Sequence, residues 1–265
     1  MILPWRVDVP QDRLPFANWL IIAILIAVFA WQVPQIRERN EAIRNIVSGK
    51  SSLTQQDVSE IENIKVPFDG YMLDGWFGKG MLTYMWLHAS PLHLVGNLLF
   101  LWIFGNAVCS KIGNILYIPV YIFLGMSAAV MYLIFSNTTM LGASGAINGV
   151  VGMYLVFFPT NAITCWCLKK FDSPSYVIIL LWFVFDIIGV AFGGAGIAYL
   201  AHIGGFAAGF AIAVILLRKK FITMTTYEKS LLDIFSSSHS YHRPKVSLWN
   251  RSAVFDSKQP KNHEQ

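Results

Sequence analysis

Six apolar runs, each close to the length of a bilayer crossing, take up most of this 265-residue chain and leave it few folds to choose from. They lie at about 17–34, 92–108, 113–135, 142–159, 176–192 and 197–217. A crossing needs roughly 20 mostly apolar residues to span about 30 Å of hydrocarbon. Backbone in lipid must satisfy its own hydrogen bonds, so such runs become helices. Hydrophobic residues make up 55% of the chain and charged ones 13%, the balance of an integral membrane protein rather than of a large soluble core. The predicted fold is all-α, a polytopic bundle of six transmembrane helices. Its domain is expected at 17–217 with a long first loop at about 35–80, between a cytoplasmic N-terminal segment, 1–16, and a polar, disordered cytoplasmic tail, 218–265.

Arg and Lys in short loops stay on the cytoplasmic side and so orient the bundle. Lys111 lies between runs two and three, Lys169 and Lys170 between four and five, and Arg218, Lys219 and Lys220 after run six. The opposite connections, Ser136 to Leu141 and Gly193 to Gly196, carry no charge. Both termini are therefore expected in the cytoplasm, with runs two, four and six starting at the outer surface. The stretch Met1 to Pro15 is polar, and the first run leads into Arg37, Glu38 and Arg39 without a small-residue cleavage site, so no removable signal peptide is expected. No Arg-rich transit segment precedes it, which makes a bacterial plasma (inner) membrane the expected location.

Within the first loop, Ile43, Ile46, Val47, Leu53, Val58 and Ile61 are spaced for one or two short amphipathic helices in Ile36 to Asn63. The aromatic stretch Phe68 to Gly78 that follows is expected to pack at the membrane interface. Cys109, Cys165 and Cys167 all fall on the reducing, cytoplasmic side, so no disulfide framework is expected. Cys165 and Cys167 lack companion ligands for a metal.

Three polar patches interrupt the apolar runs: His88-Ala89-Ser90-Pro91-Leu92-His93-Leu94-Val95-Gly96-Asn97, Gly142-Ala143-Ser144-Gly145, and Ala201-His202-Ile203-Gly204-Gly205. Polar groups in hydrocarbon are expensive and mark function. Ser144 and His202 lie about two and about five residues in from the outer ends of spans four and six, roughly 3–8 Å deep. Glycines four apart, Gly145 with Gly149 and Gly205 with Gly209, predict a close backbone contact that sets Ser144 beside His202. A serine hydroxyl becomes a nucleophile when a base lies within hydrogen-bond reach, and the bases at this depth are His88, His93 and His202. His93 and Asn97 project from one helix face. With the Ser144 amide they can stabilise an oxyanion. His88, outside His93, is expected to order a loop or waters. Asp186, deep in span five, is assigned a hydrogen bond to a helix end or to the Gly193–Gly196 loop in preference to His202.

The runs His88 to Leu101, Gly142 to Ala146, and Ala201-His202 with Gly205 and Gly209 resemble the three signatures of the rhomboid family of intramembrane serine proteases, in order and in the matching spans. The resemblance covers about Trp76 to Leu217, with span one as the family's usual opener. It implies a six-helix rhomboid protease domain in which Ser144 is the nucleophile and His202 the general base and then acid. His93 and Asn97 would share the oxyanion hole with the Ser144 amide. The family uses a dyad, so no acidic third member, metal or organic cofactor is implied. The implied partners are the bilayer and transmembrane segments of other proteins, which enter laterally and unwind, and no nucleic acid. One departure is the Trp-Arg pair common in the family's first loop, which stands here as Lys79-Gly80.

Rival chemistries fit poorly. A zinc protease calls for a motif such as H-E-x-x-H, which is missing. An aspartyl protease needs two intramembrane carboxylates, and a serine-lysine dyad needs an intramembrane lysine. The main alternative is a non-proteolytic rhomboid-like protein that binds membrane clients; such relatives typically lack the serine or the histidine, and both are present here. A small transporter would call for internal repeats and broken helices.

Overall fold

The computed structural model of the chain describes residues 3–167, 169–192, 198–225 and 228–236. The six apolar runs all appear as helical segments. The first is α1 (Phe16–Val47); α2 (Gln55–Asn63) and the single turn α3 (Gly80–Thr83) belong to the first loop. Run two forms α4 (Pro91–Phe100), a π-helical turn (Leu101–Gly105) and α5 (Asn106–Ile112). The remaining runs are α6 (Asn114–Phe135), α7 (Ser144–Phe157), α8 (Ser175–Ala191) and α9 (Tyr199–Arg218). Four segments, α1, α4 through α5, α6 and α9, are long and apolar enough to cross a membrane, whereas α7 and α8 are shorter apolar helices.

α7 has 14 residues, about 21 Å at 1.5 Å per residue, against about 30 Å of hydrocarbon. At its C-terminal end the chain turns at Pro159 towards a sheet strand, and at the other end Ser144 begins the helix. At that start Gly142 takes a φ of +129°, which disfavours any other residue. Its amide is held by the Tyr84 carbonyl, 3.0 Å away.

The seam between α7 and α9 is the tightest in the bundle. A Cβ on Gly205 would come 1.9 Å from the Gly145 carbonyl oxygen, and one on Gly209 would come 1.8 Å from that of Gly149. Main chain therefore meets main chain, as the glycine spacing predicts. The π-helical turn has a neighbour that explains it. Asn18, fully buried on α1, donates to the Leu101 carbonyl and to Asn106 Oδ1, each at 2.8 Å, and accepts from the Tyr117 hydroxyl at 2.8 Å. Gly105 makes room for it, since a Cβ there would lie 2.4 Å from Asn18 Oδ1. Membrane helices tolerate such departures from the α pattern where another side chain satisfies the freed backbone.

Three features differ from expectation. α1 continues through Pro34 to Val47, so the first-loop residues Ile36 to Val47 extend a span, and one further helix, α2, follows with a Thr54/Asp57 capping box. A three-stranded antiparallel sheet, β1 (Leu3–Val7), β2 (Ala162–Trp166) and β3 (Lys170–Pro174), ties the N-terminal segment to the α7–α8 connection. The described part of the expected disordered tail is folded: α10 (Leu231–Ser236) follows α9, and Glu228 is buried against Lys111. Lys111 also pairs with Asp12 at 3.2 Å, with its side chain only 3% exposed. A buried ammonium needs such partners, and those partners tie the segment before α1 and the segment after α9 to the C-terminal end of α5. Residues 237–265 lie outside the described residues.

The first loop is anchored without the Trp-Arg pair. Lys79 Nζ sits 3.8 Å from the centre of the Tyr71 ring, and a Cβ on Gly80 would collide with the Met72 carbonyl oxygen at 2.3 Å. Leu73 and Met140 exchange backbone hydrogen bonds of 2.9 and 3.0 Å, which tie this loop to the α6–α7 connection. Phe68 is buried, while Trp76 and Phe77 face outward, as an interfacial loop requires.

Candidate active site

The starts of α4, α7 and α9 surround one cavity of about 970 Å³. Ser144, His202, His93 and Asn97, the four residues singled out from the sequence, all line it. Ser144 is the first residue of α7, and the amides of a helix's first turn have no partner within the helix. The helix dipole adds partial positive charge at the same point. His202 lies one turn into α9, and its Nε2 is 2.9 Å from Ser144 Oγ. The two side chains come from helices whose backbones touch at Gly145 and Gly205, so main-chain contact sets their separation.

His93 is on the first turn of α4, where Ser90 caps the helix by accepting from the His93 amide at 3.2 Å. Its ring lies against Gly142: a Cβ there would sit 2.8 Å from His93 Cε1 and 3.0 Å from Nε2. Gly142 thus serves both the turn and the seating of the imidazole. Asn97, one turn further along α4, directs Nδ2 to His88 Nε2 at 2.9 Å. An amide nitrogen carries two hydrogens, so one holds His88 and the other is available to the cavity. His88 is fully buried, and its amide donates to Gln32 Oε1 on α1 at 3.0 Å. Burial, and next the nearby His93, push its pKa down to about 4, so the ring is neutral at pH 7 and accepts from Asn97. The expectation that His88 orders a loop is thus refined: it orients Asn97.

Asp186 requires a correction. Its Oδ1 is 3.0 Å from His202 Nδ1, on the side of the ring away from Ser144. The Gly193–Gly196 loop, the partner favoured from sequence, lies outside the described residues. Asp186 stands five residues before the end of α8 and His202 three residues after the start of α9, so the two lie at matching levels along adjoining helices. Asn148 escaped the sequence reading altogether. It lies four residues after Ser144, lines the cavity and donates from Nδ2 to the Ser144 carbonyl at 3.0 Å. A polar residue one turn from the serine, on a glycine-lined helix, was the available signal. Among the described residues no group of three or more His, Cys, Asp or Glu side chains is arranged to hold a metal.

Ser144 and His202 thus stand in hydrogen-bond contact inside a cavity of a helical membrane bundle. Residues 77–219 match the family profile described as the rhomboid domain. The chain belongs to the rhomboid family, whose members are in general intramembrane serine proteases. It is 34% identical over 204 residues to RHOMBOID-like protein 6, mitochondrial, of Arabidopsis thaliana, covering 76% of this chain and 59% of that one. It is 30% identical over 175 residues to RHOMBOID-like protein 4 of the same plant, covering 65% and 41%. It is 32% identical over 136 residues to Rhomboid protease GluP of Bacillus subtilis (strain 168), covering 51% and 25%. The chain thus spans from a quarter to three fifths of these relatives' lengths.

Proposed function

We propose that the chain is an intramembrane serine endopeptidase that hydrolyses peptide bonds in or near transmembrane segments of other membrane proteins. The observation that carries this reading is the 2.9 Å contact between Ser144 Oγ and His202 Nε2 in a roomy polar-edged cavity. His202 takes the hydroxyl proton as Ser144 attacks the scissile carbonyl, and the oxyanion of the tetrahedral intermediate is met by the Ser144 amide, His93 and Asn97. His202 then returns the proton to the leaving amine, and water hydrolyses the acyl-enzyme by the same steps. A substrate helix hides its carbonyls, so Gly or Pro near the cut favours cleavage by loosening it.

The reading is tested by labelling the detergent-purified protein with a fluorophosphonate. The native chain is expected to label, and Ser144→Ala and His202→Ala are expected not to. A folded native protein that neither labels nor cuts helix-destabilised transmembrane peptides would move the assignment to a client-binding rhomboid-like protein.

We further propose that both termini face the cytoplasm, the arrangement supported by the positions of Lys169, Lys170 and Arg218, and that the membrane is a bacterial plasma membrane. Cys167 is exposed beside the sheet, whereas Cys109 and Cys165 are buried. A membrane-impermeant maleimide is therefore expected to label Cys167 in inside-out vesicles and not in intact cells. The reverse pattern would invert the topology.

A further inference from the structure

We infer that Asp186 is the third member of the site: a positioning carboxylate that fixes the tautomer and orientation of His202, making a serine-histidine-aspartate relay out of a pair. This inference rests on the proposed serine chemistry and deepens it.

An acidic side chain within a membrane helix needs a reason to be there, because hydrocarbon penalises it heavily. Asp186 sits on α8 with its side chain 16% exposed. It borders a second cavity of about 340 Å³ whose walls include Phe100, Val151, Ile179, Trp182 and Phe206, with His202 on the same wall. In this apolar surrounding it lies 3.0 Å from His202 Nδ1, while the opposite ring nitrogen lies 2.9 Å from Ser144 Oγ. The three groups thus form one chain of two hydrogen bonds, with the imidazole in the middle.

The chemistry follows from what each group can do. A carboxylate accepts and does not donate, so it requires the neutral imidazole to carry its proton on Nδ1. That leaves the Nε2 lone pair directed at the serine hydroxyl, the arrangement a general base needs. During attack the Oγ–H proton moves to Nε2, Oγ bonds to the carbonyl carbon, and the carbonyl electron pair moves to oxygen. The imidazolium then carries the positive charge beside a carboxylate that keeps its negative one. On collapse the Nε2 proton goes to the leaving nitrogen, and Asp186 exchanges no proton at any stage. Low surrounding polarity strengthens both bonds.

The decisive measurement on the native chain is the nitrogen NMR spectrum of histidine-labelled protein, with His202 assigned by its loss in His202→Ala. Protonated Nδ1 with an unprotonated Nε2, and a low-field Nδ1 proton, are expected; the opposite tautomer would overturn the inference with no need of a variant. In parallel, Asp186→Asn is expected to lower kcat by about 10²-fold or more while KM stays within about threefold, with Asp186→Glu recovering part of the loss. The low-field proton is expected to vanish in Asp186→Asn. Activity within about threefold of native in a folded Asp186→Asn protein would also overturn it. Neither failure touches the serine assignment, which stands or falls on the separate loss of fluorophosphonate labelling in Ser144→Ala.

Discussion

Replacing Ser144 with Ala is expected to lower cleavage of a reconstituted transmembrane substrate by about 10⁴-fold or more, replacing His202 with Ala by a similar factor, and replacing both by no more than either alone. The non-additivity is the informative part. Ser144 Oγ and His202 Nε2 share one hydrogen bond and one proton; without the base the hydroxyl is a poor nucleophile, and without the hydroxyl the base has nothing to activate. Single-turnover rates in proteoliposomes for the three variants and the native chain measure this directly. Losses that multiply in the double variant would mean that the two side chains act in different steps. A His202→Ala protein that keeps a tenth of the native rate would remove the histidine from the chemistry.

The second large effect is expected at a glycine that makes no chemical contribution. Gly205→Ala places a methyl group where the Gly145 carbonyl oxygen already stands, at 1.9 Å. Backbone, unlike a flexible side chain, has no rotamer to move to, so α7 and α9 must separate by more than an ångström. Overpacking of this kind typically destabilises by about 1–3 kcal/mol. Displacement of reacting groups by about 1 Å lowers rates on the order of 10²-fold. Gly205 is one turn beyond His202 and packs beside Ser144's own neighbour Gly145, so both effects should appear together. Thermal unfolding in detergent and the rate of fluorophosphonate labelling would each fall. Gly96→Ala supplies the comparison: a Cβ there meets nothing within 4 Å, so its unfolding temperature is expected to hold or rise. Equal behaviour of the two variants would refute the backbone-contact account.

How far the sequence could be read depends on the kind of signal. Hydropathy located every long helix because lipid imposes length and apolarity on each crossing separately. Glycine spacing went further and identified which two helices touch, since Gly145, Gly149, Gly205 and Gly209 have that pairing as their shared physical purpose. Asp186 shows where such reading stops. Its partner is a side chain on the neighbouring helix α9, a pairing that no periodicity within either helix encodes. Asn18 was overlooked because one amide in an apolar run barely changes its hydropathy, although its three hydrogen bonds fix α1 against the π-helical turn. The sheet was hidden for another reason. Its strands are five residues long with mixed polarity, and β1 pairs with a segment on the far side of four spans.

That last pairing has a consequence for biogenesis. Leu3 pairs with Trp166, and Val7 with Ile163, so β1, made before its partner, stays unpaired until the helices between the two strands and the connection after α7 have been synthesised. At about 5–20 residues per second the wait is on the order of ten seconds. Throughout that interval β1 carries open backbone donors and acceptors beside the exposed indole of Trp5, a segment suited to capture by chaperones or by neighbouring chains. Completion of the sheet is then a late event in assembly, one that joins a strand made before α1 to a connection made after α7.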